Sequence, residues 1–188
     1  AGGSVMAFAG IYCILALTFR SFIQPLIIMS IIPVSFFGAV VGLLLMGYKL
    51  SLISAGGLIG LMGIVVNDAL VLVEFFNDSI ARGQTVKQSL LDCGKARFRP
   101  IFLTSFTTFI GLVPMIFETS LQAQFLIPMA VTIAFGILFE TAFILLLIPA
   151  LLSLTNDLRC GFHRLWKGEL IAPEFVEPAY QRVLALEE

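Results

Sequence analysis

Residues 52–76 read LISAGGLIGLMGIVVNDALVLVEFF, an apolar run that is interrupted beyond its midpoint by Asn67 and Asp68. A helix of this length crosses a bilayer, because about 20 apolar residues rising about 1.5 Å each span a hydrocarbon core of about 30 Å. An ionised Asp near the bilayer centre costs roughly 2.5–3.5 kcal/mol on insertion scales. The stretch therefore predicts a transmembrane helix around which the chain is organised, with protein or water rather than lipid facing Asp68.

The composition indicates a polytopic membrane protein. Of its 188 residues, 59% are hydrophobic and 12% are charged, and the mean hydropathy is +1.04. A soluble domain of this size has no use for so much apolar surface, so the chain is predicted to be an all-α membrane protein. The net charge of −1 does not argue for a nucleic-acid partner, and we predict none.

Five apolar segments are predicted to cross the membrane and to form a bundle over residues 1–155. The predicted spans are 4–19, 25–47, 52–76, 100–117 and 125–154. The first is short for a full span, which favours Ala1 as a cut within a longer chain. Residues 156–188 are predicted to be a tail outside the membrane, poorly ordered toward its end.

Local signals divide these segments further. Pro33 lies inside the second span and should kink it. Thr85 followed by Gln88 fits a capping box, which predicts a short amphipathic helix over 85–98 at the membrane surface. Pro100 suits the start of the fourth span.

The basic residues predict the orientation. With five spans, the connections alternate between the two sides of the membrane, and Lys49 is the one basic residue among the 11 that does not fall on the same side as the others. The positive-inside rule makes the basic side cytoplasmic. The C-terminus is therefore predicted to be cytoplasmic.

Three acidic residues lie within the apolar spans. Intramembrane ionisable groups are functional by default, so Asp68 is a candidate for proton or ion coupling. The structural alternative is a carboxyl group that stays protonated and hydrogen-bonded to a neighbouring helix. Glu140 is deeper in its span and fits either an interhelical hydrogen bond or a functional role. Glu74 is closer to a helix end, from which its carboxylate can reach the interface by snorkelling.

Four glycines occur in pairs with small-xxx-small spacing. They are Gly38 with Gly42, and Gly56 with Gly60. This spacing permits close approach of helices in a membrane, so we predict that all four serve helix packing.

Enzyme and metal signatures are absent from the sequence. Asp68 has no second Asp on another span, as an intramembrane aspartyl protease would need. Cys13, Cys93 and Cys160 are scattered and show neither a disulfide framework nor metal-ligand spacing. We therefore predict no catalytic residues and no metal site.

Several long motifs in order resemble the resistance-nodulation-division (RND) efflux permeases, the AcrB-like group. They are GLMGIVVNDALVLVEF (60–75), RFRPIFLTSFTTFIGLVP (97–114), FETSLQAQFLIPM (117–129) and FRSFIQPLIIM (19–29). The resemblance extends to about Thr155. A single one of these motifs would be a weak signal, whereas all four in the right order are specific.

The resemblance implies a larger protein. Such permeases have twelve membrane helices in two parallel repeats, and this chain resembles helices eight to twelve. The implied protein works as a homotrimer in the bacterial inner membrane, joined to a periplasmic adaptor and an outer-membrane channel. It needs no cofactor, because an inward proton gradient drives export of amphipathic compounds.

The resemblance also implies site residues. In the drug exporters, helix ten supplies a Lys that pairs with two Asp residues of helix four; the aligned position here is Asn67, and Asp68 follows it. Helix eleven supplies a Thr and an Arg, which match Thr104 and Arg97. Asn67 lacks the positive charge of a Lys, so we expect Asp68 to exchange protons directly with the helix-four acids.

Three functions follow from these observations. The first is the C-terminal membrane part of a proton-driven RND exporter. The second is a small stand-alone helical membrane protein with a structural or assembly role. The third is a related lipid or export-assisting permease with the same fold.

Overall fold

The computed structural model describes residues 2–19 and 21–167, and its regular elements are seven helices with no strand among the described residues. The helices are α1 (Gly2–Phe19), α2 (Ile23–Met29), α3 (Ile32–Leu45), α4 (Leu52–Ala81), α5 (Val86–Ile116), α6 (Leu121–Gln124) and α7 (Ile127–Lys167). The predicted all-α class is therefore confirmed. Arg20 and residues 168–188, most of the predicted tail, lie outside the described residues.

Four helical segments are long and apolar enough to cross a membrane. They are Ile23–Leu45, Leu52–Ala81, Val86–Ile116 and Ile127–Leu158. The first predicted span corresponds to α1, of which the apolar helix Phe8–Phe19 is shorter than a full crossing. The structure thus contains four candidate membrane-spanning helices and one shorter apolar helix, with bounds that differ from the predicted spans.

The second span is interrupted where the sequence predicts a kink. Its two helices, α2 and α3, are separated at Ser30 and Ile31, and Pro33 occupies the first turn of α3. Proline suits this position because the first backbone N–H groups of a helix have no partner within it. The interruption is bridged by turn hydrogen bonds, such as that from the Ser35 amide to the Ile31 carbonyl, 3.1 Å.

Serine side chains fix the start of α4. The Ser54 amide donates to Ser51 Oγ at 3.2 Å, and the Ser51 amide donates to Ser54 Oγ at 2.8 Å. This reciprocal capping box satisfies two backbone donors at the helix start. At the other end, Gly83 has φ +81°, a left-handed conformation that glycine adopts without a Cβ clash.

The predicted division of residues 85–117 into two helices is wrong. Thr85 does cap a helix, accepting from the Gln88 amide at 3.3 Å, but that helix continues through Pro100 to Ile116. A proline removes one backbone hydrogen bond and bends a helix, and it need not end the helix. The expected surface helix is therefore the first part of α5.

The last helix lies at the centre of the bundle. α7 contacts α2, α3, α4, α5 and α6, and its apolar side chains Ile137, Ile144 and Ile148 are buried in the main core. Residues 156–167, expected in the tail, extend this helix. α7 rather than α4 is thus the helix on which the others pack.

Candidate functional site

Asp68 lies in the middle of the 30-residue helix α4. Its side chain is half-buried, Asn67 beside it is exposed, and Ala69 after it is fully buried. The Asn67 side chain lies within hydrogen-bonding reach of the Asp68 carboxyl. Asp68 therefore sits at the border between the packed face of α4 and its open face.

The packed face of α4 runs parallel to α7. A Cβ on Gly57 would lie 3.0 Å from the Met129 carbonyl oxygen, and Leu61 closely covers Gly136 of α7. Counting along both helices from these two contacts puts Asp68 level with residues 140–143 of α7, the turn that begins with Glu140.

Glu140 is the most deeply buried acidic side chain of the described chain. It is 1% exposed, and neither carboxyl oxygen has a hydrogen-bond partner among the described residues. The Asp68 carboxyl is close enough to interact with it electrostatically. The structure thus places near each other two acids whose proximity the sequence did not predict, because the sequence contains no signal for the register of α4 with α7.

Thr104 lies on α5, which runs antiparallel to α4. Cys93 Sγ of α5 donates to the Leu72 carbonyl of α4 at 3.1 Å, and the Arg97 guanidinium lies 5.0 Å from the centre of the Phe75 ring. Asp68 lies about one turn from the Cys93 contact and Thr104 about three turns from it in the same direction, so the two residues are at different levels. Thr104 is exposed, and its hydroxyl donates to the carbonyls of Pro100 and Ile101 in its own helix, at 3.1 and 2.9 Å.

Arg97 does not reach the two acids. It stacks on Phe75, about two turns along α4 from Asp68, and its Nε is buried without a hydrogen-bond partner. Glu74 is exposed on α4. The candidate residues therefore divide into a central group, formed by Asn67, Asp68 and Glu140, and two outlying residues on α5, Arg97 and Thr104.

The four glycines predicted to serve helix packing have different surroundings on α3 and on α4. A Cβ on Gly38 or Gly42 would collide with Phe139 or Phe135 of α7, so α3 and α7 approach closely there. Nothing within the described residues lies within 4 Å of a Cβ on Gly56 or Gly60. Gly57 makes the close contact of α4 with α7, so the packing role of Gly56 and Gly60 remains a prediction for a helix outside the described residues.

The described residues contain no group of three or more His, Cys, Asp or Glu side chains that could hold a metal ion. The two acids Asp68 and Glu140 form a pair only. Their arrangement can bind a proton or a small cation, and it provides no activated nucleophile in the described part of the chain.

Comparison with known proteins shows the family. The family model of the AcrB/AcrD/AcrF family matches residues 4–156. The swarming motility protein SwrC of Bacillus subtilis (strain 168) is 33% identical over 144 residues, which cover 76% of this chain and 14% of that protein.

Solved structures agree. An X-ray structure of a heavy metal efflux pump in crystal form II has a TM-score of 0.74 and 28% identity, covering 81% of this chain and 15% of that one. Crystal form I gives a TM-score of 0.65 and 28% identity over 77% of this chain, again 15% of the other chain. The chain thus spans about a seventh of the length of these relatives, and it belongs to the AcrB/AcrD/AcrF family of RND permeases.

Proposed function

We propose that this chain forms the C-terminal membrane part of an RND permease that exports amphipathic compounds in exchange for protons. The observation that carries the proposal is Asp68, an ionisable group in the middle of the apolar helix α4. Such a group is costly in a membrane and typical of a proton pathway. Family membership supplies the context of a membrane transporter.

The open face of α4 is the surface at which the rest of the permease is proposed to dock. Gly56, Gly60, Gly63 and Asn67 are exposed along it, and nothing described lies within 4 Å of a Cβ on the three glycines. Small residues allow another helix to approach closely in a membrane. A helix docked there would lie directly beside Asp68.

Helix α5 offers a second open surface next to the first. Only 11% of its apolar stretch is buried, against 39% or more in the other three spans. Its hydroxyl side chains Thr104, Thr107 and Thr108 are exposed. A helix that packed along both surfaces would pass Asp68 and Thr104 at different levels.

In this proposal Asp68 exchanges a proton with acids of the docked helix, which correspond to those of helix four in the drug exporters. Asn67 orients the Asp68 carboxyl, and Thr104 lines the same pathway. Arg97 holds the cytoplasmic end of α5 against α4 through Phe75. The proton gradient supplies the driving force, without a cofactor.

The proposed assembly follows the family resemblance. The permease is a homotrimer in the bacterial inner membrane, with the C-terminus in the cytoplasm and lipid around the bundle. A periplasmic adaptor and an outer-membrane channel complete the export path. The basic residues support this orientation, because all of the 11 except Lys49 fall on the proposed cytoplasmic side.

The test is efflux of an amphipathic fluorescent dye from cells that carry the full-length permease. We expect Asp68→Asn to abolish efflux, because an amide cannot release a proton at physiological pH. Asp78→Asn is the matched control: Asp78 is on the same helix but exposed, and its 3.7 Å ion pair with Arg82 is at the surface, where such pairs contribute little.

Unchanged efflux by the Asp68→Asn permease, at wild-type protein levels, would overturn the proton role of Asp68. Resistance to heavy metal ions is measured in the same strains. If the permease confers metal resistance and no dye efflux, the amphipathic cargo is wrong, while the effect of Asp68→Asn on that resistance still tests the proton role.

A further inference from the structure

Glu140 occupies a position that the proposed proton exchange at α4 and the docked helix does not use. It is 1% exposed in the middle of the bundle, and both of its carboxyl oxygens are buried without a partner. A buried carboxylate without a hydrogen bond or a counter-charge is strongly unfavourable. Within the part of the chain that the structure describes, no group satisfies the Glu140 carboxyl.

Asp68 is the ionisable residue of α4 at the level of the α7 turn that contains Glu140. Both residues lie about three turns beyond the contact of Gly57 with Met129, and the charge of Asp68 acts on Glu140. Asp68 is half-buried at the edge of the open face. Asp68 thus lies between Glu140 and the surface from which a proton would arrive.

Among the described residues, no basic side chain is placed to neutralise the two acids. Among the helices packed against α7, α2, α3 and α6 contain no ionisable residue. The other acids of α4, Glu74 and Asp78, are exposed. The charged residues of α5, which include Arg97, all lie before Pro100. On α7, the charged residues other than Glu140 lie at Asp157 and beyond it.

Two carboxylates close together in a medium of low dielectric cannot both remain ionised, and they bind one proton as a unit. We propose that Asp68 and Glu140 form an intramembrane carboxyl pair that holds one proton between α4 and α7. The proton bonds to a carboxylate oxygen of the pair, and on release it passes by way of Asp68 to water or to an acid of the docked helix. This proposal deepens the proposed function and rests on it for the source of the proton.

Through the carboxyl pair, the central helix α7 would take part in proton exchange. Protonation changes the charge between α4 and α7, two helices that approach closely at Gly57. Glu140 would act as a store for the proton, and Asp68 as the group that exchanges it.

The test is infrared spectroscopy of the full-length permease in liposomes at neutral pH, which detects the C=O stretch of a protonated carboxyl group. Exchange into D₂O identifies the band by its isotope shift. We expect Glu140→Gln to remove a band that wild-type protein shows. The control Glu118→Gln makes the same change at an exposed turn residue and should leave the band intact.

Asp68→Asn tests whether the two acids act as a pair. We expect the band to remain and to change frequency, because the neighbour of the protonated group has changed. Glu140→Asp keeps a carboxyl group at the site, so its band should also remain with an altered frequency, and this variant replaces Glu140→Gln if the latter does not fold.

Three results would overturn the proposal. The first is a carboxyl band that survives Glu140→Gln, and the second is a band of unchanged frequency in Asp68→Asn. The third is loss of the wild-type band when Na⁺ is added at constant pH, because the ligand would then be a metal cation. The measurement needs no transported compound. If the infrared test fails while Asp68→Asn still abolishes efflux, only the carboxyl pair is rejected. If the infrared test confirms the pair while Asp68→Asn leaves efflux normal, the proposed function is rejected.

Discussion

Gln24 and Asn77 exchange two side-chain hydrogen bonds. Gln24 Nε2 donates to Asn77 Oδ1 at 2.8 Å, and Asn77 Nδ2 donates to Gln24 Oε1 at 3.0 Å. Gln24 is 2% exposed near the start of α2, and Asn77 is half-buried near the end of α4. The pair joins the two helices at one end of the bundle.

Breaking this amide pair from one side should destabilise the protein. Gln24→Leu leaves the Asn77 amide without its partner, and Asn77→Leu leaves the Gln24 amide without its partner. Each variant is expected to lower the free energy of unfolding by about 1–3 kcal/mol. The double variant should recover part of the loss, because no amide is then left unpaired. Thermal unfolding of the full-length permease in detergent measures this, with exposed Gln122→Leu as control. A double variant less stable than the sum of the two singles would contradict the account.

The glycine contacts predict a contrast between similar substitutions. Gly57→Ala should lower the unfolding temperature, because its Cβ would lie 3.0 Å from the Met129 carbonyl oxygen, closer than such atoms normally approach. Gly94→Ala on α5 adds the same methyl group where nothing described lies within 4 Å. There we expect a gain of up to about 1 kcal/mol from helix propensity. Equal effects of the two changes would contradict the proposed close contact.

Glu140 is expected to reduce the stability of the bundle. Glu140→Met replaces a buried, unpartnered carboxyl group by an apolar side chain of similar length. We expect stabilisation of about 1–3 kcal/mol in the same unfolding assay, together with reduced dye efflux, since stability and function often oppose each other at such sites. The exposed change Glu118→Met should alter neither quantity. A less stable Glu140→Met protein would mean that the carboxyl group has a stabilising partner.

Arg97 and Phe75 are expected to contribute stability as a unit. Arg97→Lys keeps the charge but loses the planar group above the ring, and Phe75→Leu removes the ring. Each should cost about 0.5–2 kcal/mol, the range of cation–π interactions. The double variant should cost less than the sum, because the contact at 5.0 Å is lost only once. Arg99→Lys, at an exposed position, is the control, and additive costs would exclude the contact.

The sequence predicts the helices well because their signals are local. Apolar length locates the spans, Pro33 locates the interruption between α2 and α3, and Thr85 locates the start of α5. The error at Pro100 has a physical cause. The change there from polar to apolar composition reports the surroundings of the helix, whereas the backbone hydrogen bonds continue on both sides of the proline.

The contacts between helices depend on rotation and register, which a single sequence does not contain. The spacing of Gly56 and Gly60 identifies a stripe, but the adjacent Gly57 is the residue that faces α7. Asp68 and Glu140 each stand out as acids within a span. Their proximity follows only once α4 and α7 are known to be parallel neighbours, and this also explains why α4 was predicted to be the central helix in place of α7.

Proton movement during export tests the central claim most directly. The full-length permease is reconstituted in liposomes that contain a pH-sensitive dye, and proton flux is recorded when an amphipathic substrate is added. We predict substrate-dependent proton flux for wild type and for Asp78→Asn, and none for Asp68→Asn. Substrate-dependent proton flux through the Asp68→Asn protein at the wild-type rate would contradict the account.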